Sequence, residues 1–394
     1  MISVIIVNYN VKHYISQCLR SVERSIFPGE SEIIVVDNAS SDGSADYIES
    51  LFPKVKLIRA KENLGFAKAN NLAAQEAKGE YLLFLNPDTI VSEDTLGACV
   101  AFLESNSKAG AIGVQMLNSD GSFAPESRRS LPTLFVSFCK MSGLCRLFPE
   151  SKRLGRYYLG YLDRRDKNRI EVVSGAYMML RKKLFNTIGG FDQAFFMYGE
   201  DIDLSYRILQ EGYQNWYLPA KIIHYKGEST VKTSYRYVKT FYDAMLIFYN
   251  KHYRKYSRFL SVIVHIVVVL QAVASFLKNN IFHSRHAKAL TGQERKNFVV
   301  LGSVAVIDRV EALLKKYYPG SNNIFIESSH FSFPNGHLDI DIDLSNYHYV
   351  VYDVDSFSYR CIIDAMALTI GNNLGLATYS SLTGALITKQ EIII

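Results

Sequence analysis

Two groups of side chains have the types and spacing to do chemistry. The first follows the apolar run Tyr81-Leu82-Leu83-Phe84-Leu85, bounded by Gly79 and by Asn86-Pro87-Asp88. Five apolar residues in a row predict a short strand buried on both faces. Proline cannot donate to a sheet ladder, so pairing is expected to stop there and leave Asp88 at the carboxyl end of a central strand. In open α/β sheets that is where ligands bind. One carboxylate at such a place suits a divalent cation that takes its other ligands from a phosphorylated molecule. The plainer reading is that Asp88 only ends a strand. The second group is Glu200-Asp201-Ile202-Asp203, directly after Gly199. Acids in a first helical turn are favoured by the helix dipole, so capping explains them as well as a general base does. His224 ends the apolar run around Ile222-Ile223 and precedes Lys226-Gly227, within reach of a metal or a phosphate, or simply structural.

These side chains need a frame. Residues 3–9 predict a first strand, and Asn10 is placed to cap the helix after it. Val11, Tyr14, Ile15, Cys18, Leu19 and Val22 recur at helical spacing. Residues 33–36 and 55–58 predict further strands, and Asn63-Leu64-Gly65-Phe66 opens a helix expected to reach Ala77. Strand alternating with helix at this rhythm implies βαβ units and a parallel sheet. Asp37, at the end of the second strand, reads either as a contact for a base or ribose hydroxyl or as an Asx turn. Asn63 reads as a ligand contact or a helix N-cap. Residues 172–181 predict another strand and residues 216–218 a short one.

No GxGxxG follows the first strand, which ends in Asn8-Tyr9-Asn10, and there is no P-loop. Phosphate must therefore be handled in another way, and a metal at Asp88 is the natural candidate. A sugar nucleotidyltransferase would want a glycine-rich signature at that position. A non-catalytic sugar-nucleotide or membrane-binding scaffold would need neither Asp88 nor Asp201.

The chain has 394 residues, enough for more than one domain, with a modest net charge of +6 that fits an anionic ligand or membrane surface. A nucleic-acid partner is not expected. Five cysteines without a CxxC pair point to a reducing compartment and away from a disulfide framework or a zinc site. The N-terminus reads as a strand, not as a signal peptide. Residues 125–169 mix Arg128-Arg129, an apolar run over 131–147 and further basic residues, which suits an interfacial segment or a surface subdomain. The most apolar stretch, residues 259–277, has basic flanks on both sides, so the positive-inside rule gives it no orientation. A helix lying in the membrane surface or re-entering it is favoured over a single span or a buried soluble helix. The expected organisation is a catalytic domain over 1–250, a membrane-associated helical linker over 251–296, and a small α/β domain of unknown role over 297–394.

Several motifs in fixed order carry a resemblance: Val7-Asn8-Tyr9-Asn10, Val36-Asp37-Asn38-Ala39-Ser40-Ser41-Asp42-Gly43-Ser44, Glu62-Asn63-Leu64-Gly65-Phe66-Ala67-Lys68-Ala69-Asn70-Asn71, Leu85-Asn86-Pro87-Asp88, Gly189-Gly190-Phe191-Asp192 and Tyr198-Gly199-Glu200-Asp201-Ile202-Asp203. Together they resemble the inverting GT-A glycosyltransferases of family 2, and among these the bacterial rhamnosyltransferase-type enzymes of polysaccharide and O-antigen assembly. The resemblance implies an α/β GT-A fold with a mostly parallel sheet flanked by helices. It further implies a nucleotide-diphosphate sugar donor, Mg²⁺ or Mn²⁺, and a saccharide or lipid-linked acceptor at the cytoplasmic face of a bacterial membrane. It makes Asp37 the expected nucleotide contact, with Asn8, Tyr9, Asn63 and Asn86 on the same side. Asp88 becomes the last residue of a DxD-type metal motif, His224 a metal or diphosphate ligand, and Asp201 the base with Glu200 its rival. Asn86 departs from the Asp of many relatives and leaves one strong carboxylate.

Overall fold

The computed structural model describes residues 1–226, 235–253, 296–369 and 374–394. Strand β1 (Ile2–Asn8) is buried along almost its whole length and pairs in parallel with both β2 (Ser31–Asp37) and β4 (Tyr81–Leu85). A strand covered on both faces must be apolar throughout, which is what the sequence supplies. Strand β3 (Lys56–Arg59) extends this half in parallel beyond β2. Helices α1 (Lys12–Glu23), α2 (Ser44–Leu51) and α3 (Gly65–Glu76) connect the strands. The apolar stripe of α1 is buried, as its spacing predicts.

The second half is wound differently, so the sheet is mixed and not mostly parallel. Strands β5 (Thr89–Val91), β6 (Ala109–Leu117), β7 (Asn168–Ile170), β8 (Tyr177–Arg181) and β9 (Gln214–His224) complete a nine-stranded sheet among the described residues, ordered β3-β2-β1-β4-β8-β6-β9-β5 with β7 against β9. Strand β8 enters between β4 and β6 antiparallel to both. The chain returns to it from the long excursion after β6, along the side it left, and so runs the other way. Helix α4 (Thr95–Ser105) and β6 receive no assignment from periodicity. All nine residues of β6 are buried, so no alternation marks them. The short strand expected over 216–218 is the eleven-residue β9, and the one expected over 172–181 starts only at Tyr177. Asn10 does not cap α1. It sits at φ 54°, and its side-chain oxygen accepts the Ser41 N–H at 2.7 Å, so it pins the loop after β2 instead.

Between β6 and β8 lie the short helices α5 (Leu134–Met141) and α6 (Leu144–Leu147). Helix α7 (Lys182–Thr187) follows β8, α8 (Glu200–Gln210) precedes β9, and α9 (Tyr235–His252) comes after it. The apolar stretch 259–277 lies outside the described residues. Among the described residues, no helix is long and apolar enough to cross a membrane.

A second sheet of six strands, ordered β11-β10-β12-β13-β14-β15, begins with β10 (Phe298–Gly302). It continues through β11 (Ile324–Glu327), β12 (Tyr349–Asp353), β13 (Gly375–Ser380), β14 (Ala385–Ile387) and β15 (Ile392–Ile393), with helices α10 (Val304–Tyr317) and α11 (Tyr359–Leu368). It shares a core with the first sheet: Tyr14, Ile90 and Ile223 pack in one cluster with Leu301, Tyr352 and Ile362. Glu93 accepts the Tyr359 and Arg360 N–H groups at 2.8 and 2.7 Å, capping α11 from the other sheet. Arg20 pairs with Asp355 beside this contact. The five cysteines are free and buried.

Candidate active site

A cleft of about 410 Å³ opens at the carboxyl ends of β1 and β4. Its floor is set by strand register. Pro87 ends β4, but the chain resumes at once as β5, antiparallel to β9, with Thr89 opposite His224. That pairing carries His224 to Asp88: Nε2 lies 3.2 Å from Asp88 Oδ1 and 3.3 Å from Asn86 Nδ2. Asp88 is 5% exposed, and His224 Nδ1 is buried without a hydrogen-bond partner. A buried polar atom of this kind normally finds a partner, so one left over inside a cleft marks a place for a ligand. Among the described residues, no three His, Cys, Asp or Glu side chains gather closely enough to cage a metal ion.

The opposite wall comes from the start of α8. Tyr198 and Gly199 both adopt left-handed backbone, with φ 69° and 83°. A side chain at Gly199 would press on the Phe195 ring at 3.0 Å and on Ala244 at 3.3 Å. This turn delivers Glu200 and Asp201 together into the cleft lining, although adjacent helical residues are expected to diverge by about 100°. Glu200 is the first residue of the helix. No preceding turn constrains it, so both carboxyls reach. Asp203 does not line the cleft. It is fully buried and takes bonds from Arg207 Nε at 2.7 Å, Lys251 Nζ at 2.8 Å and His252 Nε2 at 2.7 Å, which fasten α8 to α9.

Glu200 and Asp201 have different surroundings. Asp201 forms an ion pair with Arg129, with both side chains 13% exposed, and also accepts the Gly175 N–H at 3.2 Å and the Ile202 N–H at 2.8 Å. Its charge is therefore compensated. Glu200 is 6% exposed, and its Oε2 has no hydrogen-bond partner. Burial, and then the neighbouring Asp201 charge, push the Glu200 carboxyl up to about 8. The adjacent carboxyls thus have different environments: Asp201 is ion-paired and hydrogen-bonded, whereas Glu200 Oε2 is buried without a partner.

On the side facing β1 and β2, Tyr9, Asn63 and Asn86 line the cleft, whereas Asn8 and Asp37 stand one layer behind it. Asn8 Nδ2 donates to Asp37 Oδ1 at 2.9 Å, and Asp37 Oδ2 accepts the Ser40 N–H at 3.1 Å, so this pair shapes the loop after β2. Asn38, itself buried, lines the cleft in their stead, donating to Asn63 Oδ1 at 2.9 Å and accepting the Leu64 N–H at 2.8 Å. Asn63 also accepts the Gly65 N–H at 2.9 Å. Gly65 has φ 76°, and a Cβ there would sit 2.4 Å from the Phe196 carbonyl oxygen, so only glycine lets α3 close on the loop before α8.

Sequence reasoning missed Arg129, Lys140, Tyr157 and Tyr158, all of which line the cleft. The arginine doublet is visible in the sequence, but as part of a stretch that reads as an interfacial segment or a surface subdomain it does not show its division of labour. Arg128 donates to the Leu162 carbonyl at 2.7 Å, and only Arg129 reaches the acids.

Asp88, His224 and Asn86 on the floor and the Glu200–Asp201 pair on the wall thus share one cleft of an α/β fold. Residues 3–189 match the family model described as Glycosyl transferase family 2, and residues 162–243 match one described as N-terminal domain of galactosyltransferase. Residues 3–189 thus form a glycosyltransferase family 2 domain on an α/β fold. It is 28% identical over 228 residues to the N-acetylglucosaminyl-diphospho-decaprenol L-rhamnosyltransferase of Mycobacterium tuberculosis, covering 55% of this chain and 73% of the relative. It is 29% identical over 245 residues to the rhamnosyltransferase WbbL of Escherichia coli, covering 57% and 83%. Among solved structures, the mannosyltransferase PcManGT from Pyrobaculum calidifontis, in complex with GDP-Man and Mn²⁺, aligns over 81% of each chain at 19% identity and a TM-score of 0.45.

Proposed function

We propose that this chain is an inverting glycosyltransferase. It moves a sugar from a nucleoside-diphosphate donor to a hydroxyl of a lipid-linked saccharide at the cytosolic face of a bacterial membrane. The observation that carries this reading is the meeting, in one cleft, of the Asp88–His224 pair with an Arg129-compensated Asp201. Two relatives named as rhamnosyltransferases support rhamnose as the sugar, and one whose name includes a diphospho-decaprenol supports a lipid-linked acceptor.

Asp88 and His224 fit a shared divalent cation, Mg²⁺ or Mn²⁺, better than an all-protein cage. They offer two ligand atoms converging on one point, and the donor diphosphate would complete the set. When bound, the cation neutralises charge that builds on the departing diphosphate. Tyr9, Asn38, Asn63 and Asn86 face the space left for the nucleotide. Asp201 takes the proton of the acceptor hydroxyl as its oxygen attacks the anomeric carbon and the bond to the diphosphate breaks. Arg129 compensates the charge of Asp201 and orients its carboxylate through the ion pair. Glu200, protonated at neutral pH, is a hydrogen-bond donor to a sugar hydroxyl. Asn8 and Asp37 act from behind, by fixing the loop that carries Asn38.

The test is a panel of nucleotide sugars, each offered to purified protein with Mg²⁺ or Mn²⁺ and a polyprenyl-diphosphate saccharide, with nucleoside diphosphate release as the readout. Asp201→Asn is expected to lower turnover by roughly 10²–10⁴-fold with donor binding little changed. If Glu200→Gln shows that loss and Asp201→Asn does not, the two roles are exchanged. Near-normal rates in both variants would return these acids to helix capping.

A further inference from the structure

Helix α5 is amphipathic in an unusual direction. Its inner residues Val136, Ser137 and Cys139 are buried, and Ser137 Oγ bonds Tyr249 Oη of α9 at 2.8 Å. Its outer face carries Leu134, Phe135, Phe138 and Met141, all exposed, Phe138 to 59%. After the Ser142-Gly143 turn, α6 packs against α5 and adds Leu147, 72% exposed, and Phe148. No other segment of the same length among the described residues exposes as many large apolar side chains. A patch of this kind is costly in water and marks a contact surface.

The charge around it is one-sided. Arg146, Lys152 and Arg153 are exposed beside the patch, and Glu150 is the one acid between Leu131 and Tyr157. A protein partner could match apolar area or positive charge in many ways. A leaflet containing anionic phospholipid matches both at once: acyl chains accept Phe and Leu, and headgroups attract the basic rim. The patch is also joined to the cleft. Lys140, on the same short helix, lines the cleft and donates to Tyr157 Oη at 2.7 Å.

We propose that α5 and α6 are a membrane-insertion platform. The platform seats Leu134, Phe135, Phe138, Met141, Leu147 and Phe148 in an anionic leaflet and sets the mouth of the cleft, at Lys140 and Tyr157, at headgroup level. There a lipid-diphosphate acceptor meets the donor without leaving the bilayer. This inference rests on the reading of the acceptor as lipid-linked. Its test needs no turnover, so the two fail separately.

The single tryptophan, Trp216, makes a clean reporter possible. In a Trp216→Phe background, full-length protein carrying Phe138→Trp is mixed with phosphatidylcholine vesicles, with or without phosphatidylglycerol, whose acyl chains are brominated or not. Emission should fall roughly twofold or more on brominated anionic vesicles, because an interfacial helix sinks its apolar face to the acyl boundary. In flotation, the double variant Phe135→Asp/Phe138→Asp should lose roughly tenfold or more of its affinity for anionic vesicles. Its melting temperature should be unchanged, since both positions are exposed, and so should donor hydrolysis in detergent-free solution. Bound protein whose reporter ignores bromine would overturn the proposal, as would equal binding to neutral vesicles. So would a double variant that floats like the parent. A reporter already shielded from aqueous quencher without vesicles would mean that this chain's own residues cover the patch, which also overturns it.

Discussion

Replacing Arg129 by methionine tests the carboxyl pair most directly. The substitution keeps length and apolar volume and removes one positive charge from a site where Asp201 is 13% and Glu200 6% exposed. Two adjacent buried carboxyls then share no cation, and the pair takes up a proton at neutral pH. Removing one partner of a buried ion pair costs about 3–5 kcal/mol. If about 3 kcal/mol of that falls on the ionised form needed for proton transfer, turnover drops roughly 10²-fold at pH 7, at 1.36 kcal/mol per decade. The loss should shrink as pH rises, because hydroxide removes the extra proton that the guanidinium no longer excludes. The assay is nucleoside diphosphate release from pH 6 to 9.5 under saturating donor, with a melting curve at each pH. Arg129→Lys keeps the charge but not the planar fork and should recover part of the rate. Turnover within about threefold of the parent, with an unchanged pH profile, would refute the idea that Arg129 holds Asp201 ready. A uniform loss at every pH accompanied by early melting would assign Arg129 to folding instead.

Three further outcomes are expected. Asp88→Ala should abolish metal-dependent turnover while leaving the melting temperature within a few degrees, and full activity of that variant in EDTA would remove the metal assignment. Asp203→Asn should destabilise the protein by about 3–5 kcal/mol, since Arg207, Lys251 and His252 lose their shared carboxylate, yet leave turnover per folded molecule nearly intact; a catalytic loss without destabilisation would contradict the fastening role. For Glu200 the folded carboxyl is held at about 8, above its ordinary 4.5, so the folded state carries the extra proton between those values. The associated stability is complete below about pH 4.5 and is lost as pH rises through about 8. The melting temperature of the parent should thus fall more steeply from pH 6 to 9 than that of Glu200→Gln, and parallel curves would contradict the buried, protonated state.

Much of this protein is legible in its residues because local physics governs the relevant parts. The apolar runs of β1, β2 and β4 could only be strands covered on both faces, and the α1 stripe could only be a helix face. Pro87 stops β4 and leaves Asp88 at its end whatever else the chain does. Gly199 before three acids announces a helix start. None of these needs a partner distant in sequence. What lay beyond the sequence depends on register and on long returns of the chain. The meeting of His224 with Asp88 follows from the antiparallel pairing of β5 with β9, set by strand neighbours and not by composition. Strand β6 is uniformly buried and so carries no alternation to read. Asp203, two residues beyond Asp201, is buried and held instead by Arg207 of α8 and by Lys251 and His252 of α9. Arg129 stands seventy-two residues before Asp201, and only the fold brings its guanidinium to that carboxylate. Charge compensation in a cleft is a property of three-dimensional proximity, since the field of a buried ion falls with distance in space and is blind to separation along the chain.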